Sequence, residues 1–408
     1  RKAEADAAPA SFRAFKFQKT DSLSKVSVAQ LLQTTTGTVH QVLALRQLLS
    51  KLSVKKYQAM QKAMCQDGRV HGLLQFYGAN RTGRWAGRLV QVQNLPRNSM
   101  PDLEEARELV KQGNVPALAM LYDSVPDVLS QLIRTAFIPS KNHHFYVADF
   151  SAVEARVIAW LSNEKWRQES FAKNEDIYCA SASQMFGVPV VKHGVNGELR
   201  QKGKIAELAL GYGGSIGALK AMGATNLGLT DDELPPLVQM WRNASPHIVQ
   251  FWWDVDKAAK ACIKTHLPQE SHGMKFAYRS GCMFLKLRSG RSLCYPQPKI
   301  GINRFGSESI TFMGINTVKK WSRIETYGAK LVENIVQATS RDLLAEAMRR
   351  LEAAGNPAVM HIHDEAVIEA PTGRSLATMV KIMTEVPDWA NGLILNAAGF
   401  VGNFYKKD

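Results

Sequence analysis

Phe145-Tyr146-Val147-Ala148-Asp149-Phe150-Ser151-Ala152-Val153-Glu154-Ala155-Arg156 is the stretch from which the rest of the chain can be read. Its apolar start predicts a strand that runs into Asp149. A helix is expected at once, because Ser151-x-x-Glu154 fits a capping box. A carboxylate at the end of an apolar strand is costly to bury unless it meets a cation. The same arrangement recurs at Val359-Met360-His361-Ile362-His363, a predicted strand that leads into Asp364-Glu365 and then into strand again. On adjacent strands, Asp149 and Asp364 would hold two Mg²⁺ ions about 3.5–4 Å apart, a geometry that activates an attacking hydroxyl and neutralises a leaving phosphate. Taken singly, each aspartate reads more simply as a strand-end carboxylate that caps a helix or takes a salt bridge. His361-Ile362-His363-Asp364 also invites a metallohydrolase reading. Such sites need further histidines, and the ten His of the chain form no H-E-x-x-H or H-x-H-x-D-H pattern.

The second informative stretch is Arg200-Gln201-Lys202-Gly203-Lys204-Ile205-Ala206-Glu207-Leu208-Ala209-Leu210-Gly211-Tyr212-Gly213. On a helix, Arg200, Lys204 and Leu208 fall within roughly 80° of one another, and Tyr212 continues that face with some drift. The stripe reads cation, cation, apolar platform, aromatic. That order suits a triphosphate gripped at one end and a base stacked at the other. A solvated basic face beside a core stripe is the plainer alternative. The glycines after Leu210 would let the helix bend. Gly211-Tyr212-Gly213-Gly214-Ser215 fits neither G-x-G-x-x-G nor a Walker A loop. A third cluster, Arg81, Arg84 and Arg88 followed by Gln91, Gln93, Asn94 and Arg97, joins phosphate-binding arginines to side chains able to reach minor-groove acceptors. It reads otherwise as a solvated loop.

The 408 residues exceed what one core sustains, so two or three subdomains are expected. Apolar residues make up 45% and charged residues 21%, which excludes bulk disorder. Lys and Arg number 51 against 36 Asp and Glu, a net charge of +15 that points to a polyanionic partner. No apolar run approaches a membrane span. The five cysteines, with no C-x-x-C pair, argue against zinc knuckles and a disulfide framework and for a reducing cytosol.

Residues 1–24 read as a polar, basic, mobile lead-in. Val26 to Met64 is helical in pattern, with Leu43, Leu45, Leu48, Leu49 and Leu52 among Lys51, Lys55, Lys56 and Lys62. Val70 to Gly78 reads as strand, and Asn80 to Arg88 as a Gly- and Arg-rich loop. Residues 102–136 look helical in two pieces broken near Asn114-Val115-Pro116. Residues 164–285 look mostly helical, and Ser289-Gly290-Arg291 is a turn back into strand. Residues 325–354 form a long helix ended by Gly355-Asn356-Pro357.

The order of these elements resembles family A DNA polymerases, the group of bacterial DNA polymerase I, and especially its bacteriophage members. Thr82-Gly83-Arg84 and Gln93-Asn94-Leu95-Pro96 are similar to T-G-R…Q-N-[IL]-P. Ala148 to Arg156 is similar to motif A, D-[YF]-S-x-[IVL]-E-x-R. Asp176-Ile177-Tyr178 with Met185-Phe186-Gly187-Val188-Pro189 resembles D-I-[HY]…F-G-x-P. Arg200 to Gly213 resembles motif B, R-x-x-x-K-x-x-x-[FY]-x-x-x-Y-G. His363-Asp364-Glu365 resembles motif C, and Gln337 sits where the family has a glutamine on its long palm helix. The resemblance spans about residues 40–408.

It implies an α+β right-hand fold with an antiparallel palm sheet, mostly helical fingers and a short helical thumb. Residues 1–66 would be a partial thumb with the lead-in. Residues 67–163 would be the first part of the palm, with a helical insert at about 98–134. Residues 164–287 would be the fingers, and 288–408 the second part of the palm. Asp149 and Asp364 are implied as carboxylates for two Mg²⁺ ions (Mn²⁺ as a substitute), and Glu365 as an accessory acid. Arg200 and Lys204 would hold a dNTP triphosphate, with Lys204 also acting in catalysis. Leu208 would also line the dNTP site, Tyr212 would lie there beside the templating pair, and Glu154 would police the sugar. Arg84, Gln93, Asn94, Gln337 and His363 would contact primer–template DNA. Leu208 departs from the usual Phe or Tyr, and Glu207 from a common Asn. The stretch Arg97–Arg134 is longer than in bacterial enzymes, and only 83 residues precede Arg84, so no proofreading exonuclease is expected in this chain. The implied function is DNA-directed DNA polymerisation by a monomer in a bacterial host cytoplasm. A single-subunit RNA polymerase, against which Glu154 argues, and a non-enzymatic nucleic-acid binder, against which the intact aspartates argue, are the alternatives.

Overall fold

The computed structural model describes residues 23–49 and 54–407, and the chain divides into two units. Residues 1–22 of the expected lead-in, and Lys51 and Leu52 of the first helical stretch, lie outside the described residues.

The first unit comprises Arg1–Val70, Leu95–Ala136 and Lys406–Asp408. Its helices are α1 (Lys25–Thr34), α2 (Gly37–Leu49), α3 (Lys55–Ala63), α4 (Leu103–Lys111), α5 (Val115–Leu121) and α6 (Val125–Leu132). The region expected as two helical pieces is therefore three helices. Pro116 and Pro126 each sit in a first turn, where a missing amide is tolerated, behind the caps Asn114 and Ser124. Tyr57 ties α3 to α6 by donating to Leu129 O (2.8 Å). Buried Arg134 donates to Leu95 O and Pro96 O, both at 2.7 Å.

The second unit comprises His71–Asn94 and Phe137–Tyr405. A hairpin of β1 (Leu74–Ala79) and β2 (Arg84–Gly87) comes first, so Arg84 begins a strand rather than lying within a loop. β3 (His143–Phe150) follows, then seven helices: α7 (Val153–Ser162), α8 (Lys165–Ala172), α9 (Ile177–Phe186), α10 (Leu199–Leu210), α11 (Ile216–Ala221), α12 (Leu234–Ala244) and α13 (Pro246–Thr265).

The helical expectation fails beyond α13. Residues from Gln269 form an antiparallel meander of β4 (Gln269–Ser271), β5 (Met274–Arg279), β6 (Cys282–Lys286) and β7 (Ser292–Pro296). Met274, Phe276, Met283 and Leu285 are buried in strict alternation, the period of a half-buried strand. His272-Gly273 and Ser280-Gly281 both take positive φ, as tight two-residue hairpin turns require. A three-stranded sheet follows, β8 (Lys299–Ile302), β9 (Glu308–Ile315) and β10 (Trp321–Thr326). Next come the long helix α14 (Gly328–Ala353), β11 (Ala358–Ile362), β12 (Glu365–Pro371), α15 (Leu376–Met383) and β13 (Ala397–Gly402).

The sheet that positions the candidate site has the order β11-β12-β3-β13 and is antiparallel throughout. The helix α14 packs against α7, α13 and α15, with Leu331, Ile335, Leu343 and Leu351 in the core. Among the described residues no helix is long and apolar enough to cross a membrane, and all five cysteines are free thiols.

Candidate active site

Strand register brings the two aspartates to one end of the central sheet. Phe145 to Ala148 are buried, and Asp149 follows half-buried. β11 and β12 are joined by the two residues His363 and Asp364, since Ile362 pairs with Glu365. His363 has φ of 56°, which closes the turn. Glu365 lies opposite Asp149 across β12 and β3, and the Asp364 carbonyl accepts from Phe150 N (3.3 Å). Asp149, near the end of β3, and Asp364, in the turn whose carbonyl meets that strand, are thus half-buried carboxylates at one sheet end, an all-oxygen donor set that suits a hard divalent cation. Glu365 is only 2% exposed and accepts from Tyr405 OH (2.6 Å), so it is a buried carboxyl directly across from Asp149.

His361 on β11 and His363 in the turn are engaged elsewhere. His361 packs edge-on against Trp85, ring centroids 4.6 Å apart. Burial pushes its imidazole down to about 4, with Arg341 adding to the effect. His363 Nε2 donates to Gln93 O (3.1 Å).

Helix α10 carries the basic face. Arg200 donates from Nε and Nη2 to Asp176 Oδ2 (2.9 and 2.8 Å). Asp176 in turn caps α9, accepting from the amides of Tyr178 and Cys179. Burial would raise the Asp176 carboxyl, but Arg200 and these amides hold it below its ordinary value. Lys204 is half-buried and makes no hydrogen bond or ion pair with the described residues. Leu208 is 51% exposed. The helix ends at Leu210, so Tyr212 lies beyond it rather than on its stripe. The positive φ of Gly213 and the close approach of Gly214 to the Ala209 carbonyl, which leaves no room for a Cβ, turn the chain there.

Glu154 corrects the sequence reading most directly. The capping box does not form. Ala152, at φ 52°, is the N-cap of α7 and makes no side-chain cap bond, while Ser151 N donates to Asn396 O (2.8 Å). The Glu154 carboxylate instead accepts from Arg84 Nη2 and from Tyr212 OH (3.0 Å). Charge-assisted bonds outcompete a cap worth about 1 kcal/mol. Burial and the neighbouring Glu154 push the Tyr212 hydroxyl well above its ordinary value.

Two clusters were not foreseen. Glu207 accepts from Arg167 Nη1 and Nη2 (2.6 and 2.7 Å), Ser181 Oγ (2.7 Å) and Trp241 Nε1 (2.9 Å). Arg167 is 1% exposed and also donates to Ser245 Oγ (2.8 Å). Burial would raise the Glu207 carboxyl, but Arg167 and the other donors hold it below the usual range. α10 is thereby tied to α8, α9 and α12 through one carboxylate. Close approach reinforces this, because a Cβ at Gly203 would collide with the Tyr178 carbonyl. In the second cluster Arg341 on α14 lies over the Trp85 ring (4.3 Å) and donates from Nε to Gly83 O (3.0 Å). Asp342 accepts from Arg341, Arg291 and Ser289. These contacts fasten the β1–β2 hairpin to α14.

The hairpin, α14 and the β11–β12 turn enclose a cavity of about 450 Å³. Arg84, Gln93, Asn94, Gln337, His363 and Asp364 all line it. Five residues expected at DNA, Arg84 and His363 among them 279 positions apart in sequence, therefore meet beside one of the expected metal carboxylates.

The description of DNA polymerase family A matches residues 10–272, more than half of the chain. The DNA polymerase of Bacillus phage SP02 is 56% identical over 391 residues, covering 95% of this chain and 60% of that protein. The thermostable DNA polymerase I of Thermus aquaticus is 26% identical over 254 residues, 61% of this chain and 25% of the relative. The chain thus spans about 60% of the phage relative's length and a smaller part of the bacterial one. Among solved structures, the POL domain of Pol1 from M. smegmatis in complex with DNA primer-template and dNTP superposes with a TM-score of 0.63 at 19% identity. The match covers 95% of this chain and 57% of that one. The expected α+β polymerase fold is the fold found, and the chain belongs to DNA polymerase family A.

Proposed function

We propose that the chain is a template-directed DNA polymerase that joins a dNTP to a primer 3′-OH with release of pyrophosphate. The observation that carries this reading is the convergence of Arg84, Gln93, Asn94, Gln337 and His363 on one cavity with Asp364. Relatives named as DNA polymerases support it. Family membership brings divalent-metal dependence, and two Mg²⁺ ions held by Asp149 and Asp364 are part of this proposal. Bound there, the ions would lower the pKa of the attacking hydroxyl and neutralise charge on the leaving phosphates.

The chain's own residues position and neutralise. Lys204, whose side chain has no partner among the described residues, would meet the triphosphate, and Arg200 would join it from beside Asp176. Leu208 would offer an apolar platform, and Tyr212 would stand by the templating pair. Glu365, buried across from Asp149, would hold that end of the sheet as an accessory acid. Arg84 and Tyr212 each hold one Glu154 oxygen, which fixes the carboxylate as a wall that a ribose 2′-hydroxyl would crowd. The subdomain bounds stated above, a monomeric state and a host cytoplasm belong to the same proposal.

Primer extension separates the alternatives. A DNA polymerase extends with dNTPs in Mg²⁺ and far less with rNTPs. An RNA polymerase prefers rNTPs, and a binder that kept only the fold extends with neither.

A further inference from the structure

We propose that the outer face of the β8–β10 sheet is a binding surface for the unpaired template strand, a proposal that rests on the polymerase reading above. Register defines the face. Thr311 pairs with Lys299 and Glu325, Met313 with Arg323 and Ile315 with Trp321, so these side chains share one side. The opposite side, with Ile310 and Phe312, is buried in the core.

On the outer side Trp321 is 62% exposed beside Ile315 at 45%, and Val318 in the adjoining turn is 68% exposed. Residues 297–326 hold five cations, Lys299, Arg304, Lys319, Lys320 and Arg323, against two acids, Glu308 and Glu325, the latter accepting from Ser309 Oγ (2.8 Å). Lys264 pairs with Glu308 at 2.7 Å. The turn is ordered, since Asn316 Oδ1 accepts from the amides of Val318 and Lys320, which fixes the two lysines beside Trp321.

Charged edge strands often serve only to repel other strands. Cations alone would do that, and an exposed indole works against it. An open aromatic face among cations is instead the chemistry that binds unpaired bases by stacking while neutralising their phosphates. A duplex buries its own base faces and would gain nothing from the ring. The sheet is also joined, through its inner side that carries Phe312, to the hairpin that holds Arg84. Arg81, in the turn of the β1–β2 hairpin that carries Arg84, donates to Ile315 O (3.4 Å) and lies over Phe312 (5.7 Å). In a primer–template the unpaired strand is the template.

The test is binding of labelled primer–template with an unpaired overhang of about 12 nucleotides against a blunt duplex. Trp321→Ala is expected to lower affinity for the overhang DNA about tenfold and for the blunt duplex less than about twofold. Trp321→Phe should keep most of the affinity, which excludes a folding defect. Lys319→Ala with Lys320→Ala should reduce the salt slope on overhang DNA by about 1.4. Unchanged overhang binding in Trp321→Ala, or an equal loss on both DNAs, would overturn the proposal. Extension across a one-nucleotide gap to the template end reports separately on the polymerase reading. It should survive in Trp321→Ala, and its absence in the unaltered protein would sink that reading whatever the overhang result.

Discussion

The sheet end that carries Asp149 and Asp364 and the helix that carries Arg200 and Lys204 are held in place by different physics. At the sheet end, backbone register does the work. A two-residue turn at His363-Asp364 and the pairing of Glu365 with Asp149 leave the carboxylates nowhere else to go. Around α10, a buried side-chain network does it, with Glu207 gathering Arg167, Ser181 and Trp241 from three other helices. The first arrangement should tolerate loss of a carboxylate without moving, so substitutions there act on chemistry. In the second, a single charge holds the helix, so substitutions reach both stability and function.

The largest expected effect is at the sheet end. Asp149→Ala should abolish extension while primer–template affinity stays within a few-fold, as measured by single-turnover incorporation and anisotropy. A large fall in melting temperature would instead break the contrast between the regions. Lys204→Ala should cut turnover by about 10²–10³ with DNA affinity scarcely altered, because one charge-stabilising donor is removed from a side chain that holds nothing else.

Glu207→Gln sharpens the contrast. It leaves Arg167 buried without its counter-charge, and denaturant unfolding should show a loss of about 3–5 kcal/mol. Replacing both partners by apolar residues, Arg167→Met with Glu207→Leu, should cost much less. The pH dependence follows from the sign of the shift. A carboxyl held below its ordinary 4.5 in the folded state adds stability above that pH and loses it as pH falls through the depressed value. Glu207→Gln should therefore flatten the acid limb of the stability curve below about 4.5.

The smallest effect concerns Glu154. Glu154→Ala should raise rNTP relative to dNTP incorporation by more than tenfold, about 1.4 kcal/mol, with some discrimination surviving through Tyr212 and Leu208. An unchanged ratio in a folded, active variant would remove the sugar gate.

The sheet end was legible because its signals are local. An apolar run into an aspartate occurs twice, and the short spacing between the second strand and its return leaves one hairpin register. The cation order on α10 was legible for the same reason, through helical period. The pairs Arg167–Glu207 and Arg341–Trp85 were not, since contacts across tens to hundreds of residues leave no periodic trace. Glu154 misled because local spacing favoured a cap while Arg84, 70 residues upstream, offered a stronger bond. The β4–β7 meander was masked by the helices before it, although its alternation and its His-Gly and Ser-Gly turns were present in the sequence.

The most direct test of the account is single-turnover incorporation of one templated dNTP across a Mg²⁺ titration, with the unaltered protein and Asp364→Ala compared and primer–template affinity measured alongside. The account predicts saturable, metal-dependent incorporation by the unaltered protein, none by Asp364→Ala, and DNA affinities within about threefold of each other. Incorporation by Asp364→Ala at even about a tenth of the unaltered rate, or a loss explained by failure to bind DNA, would contradict it.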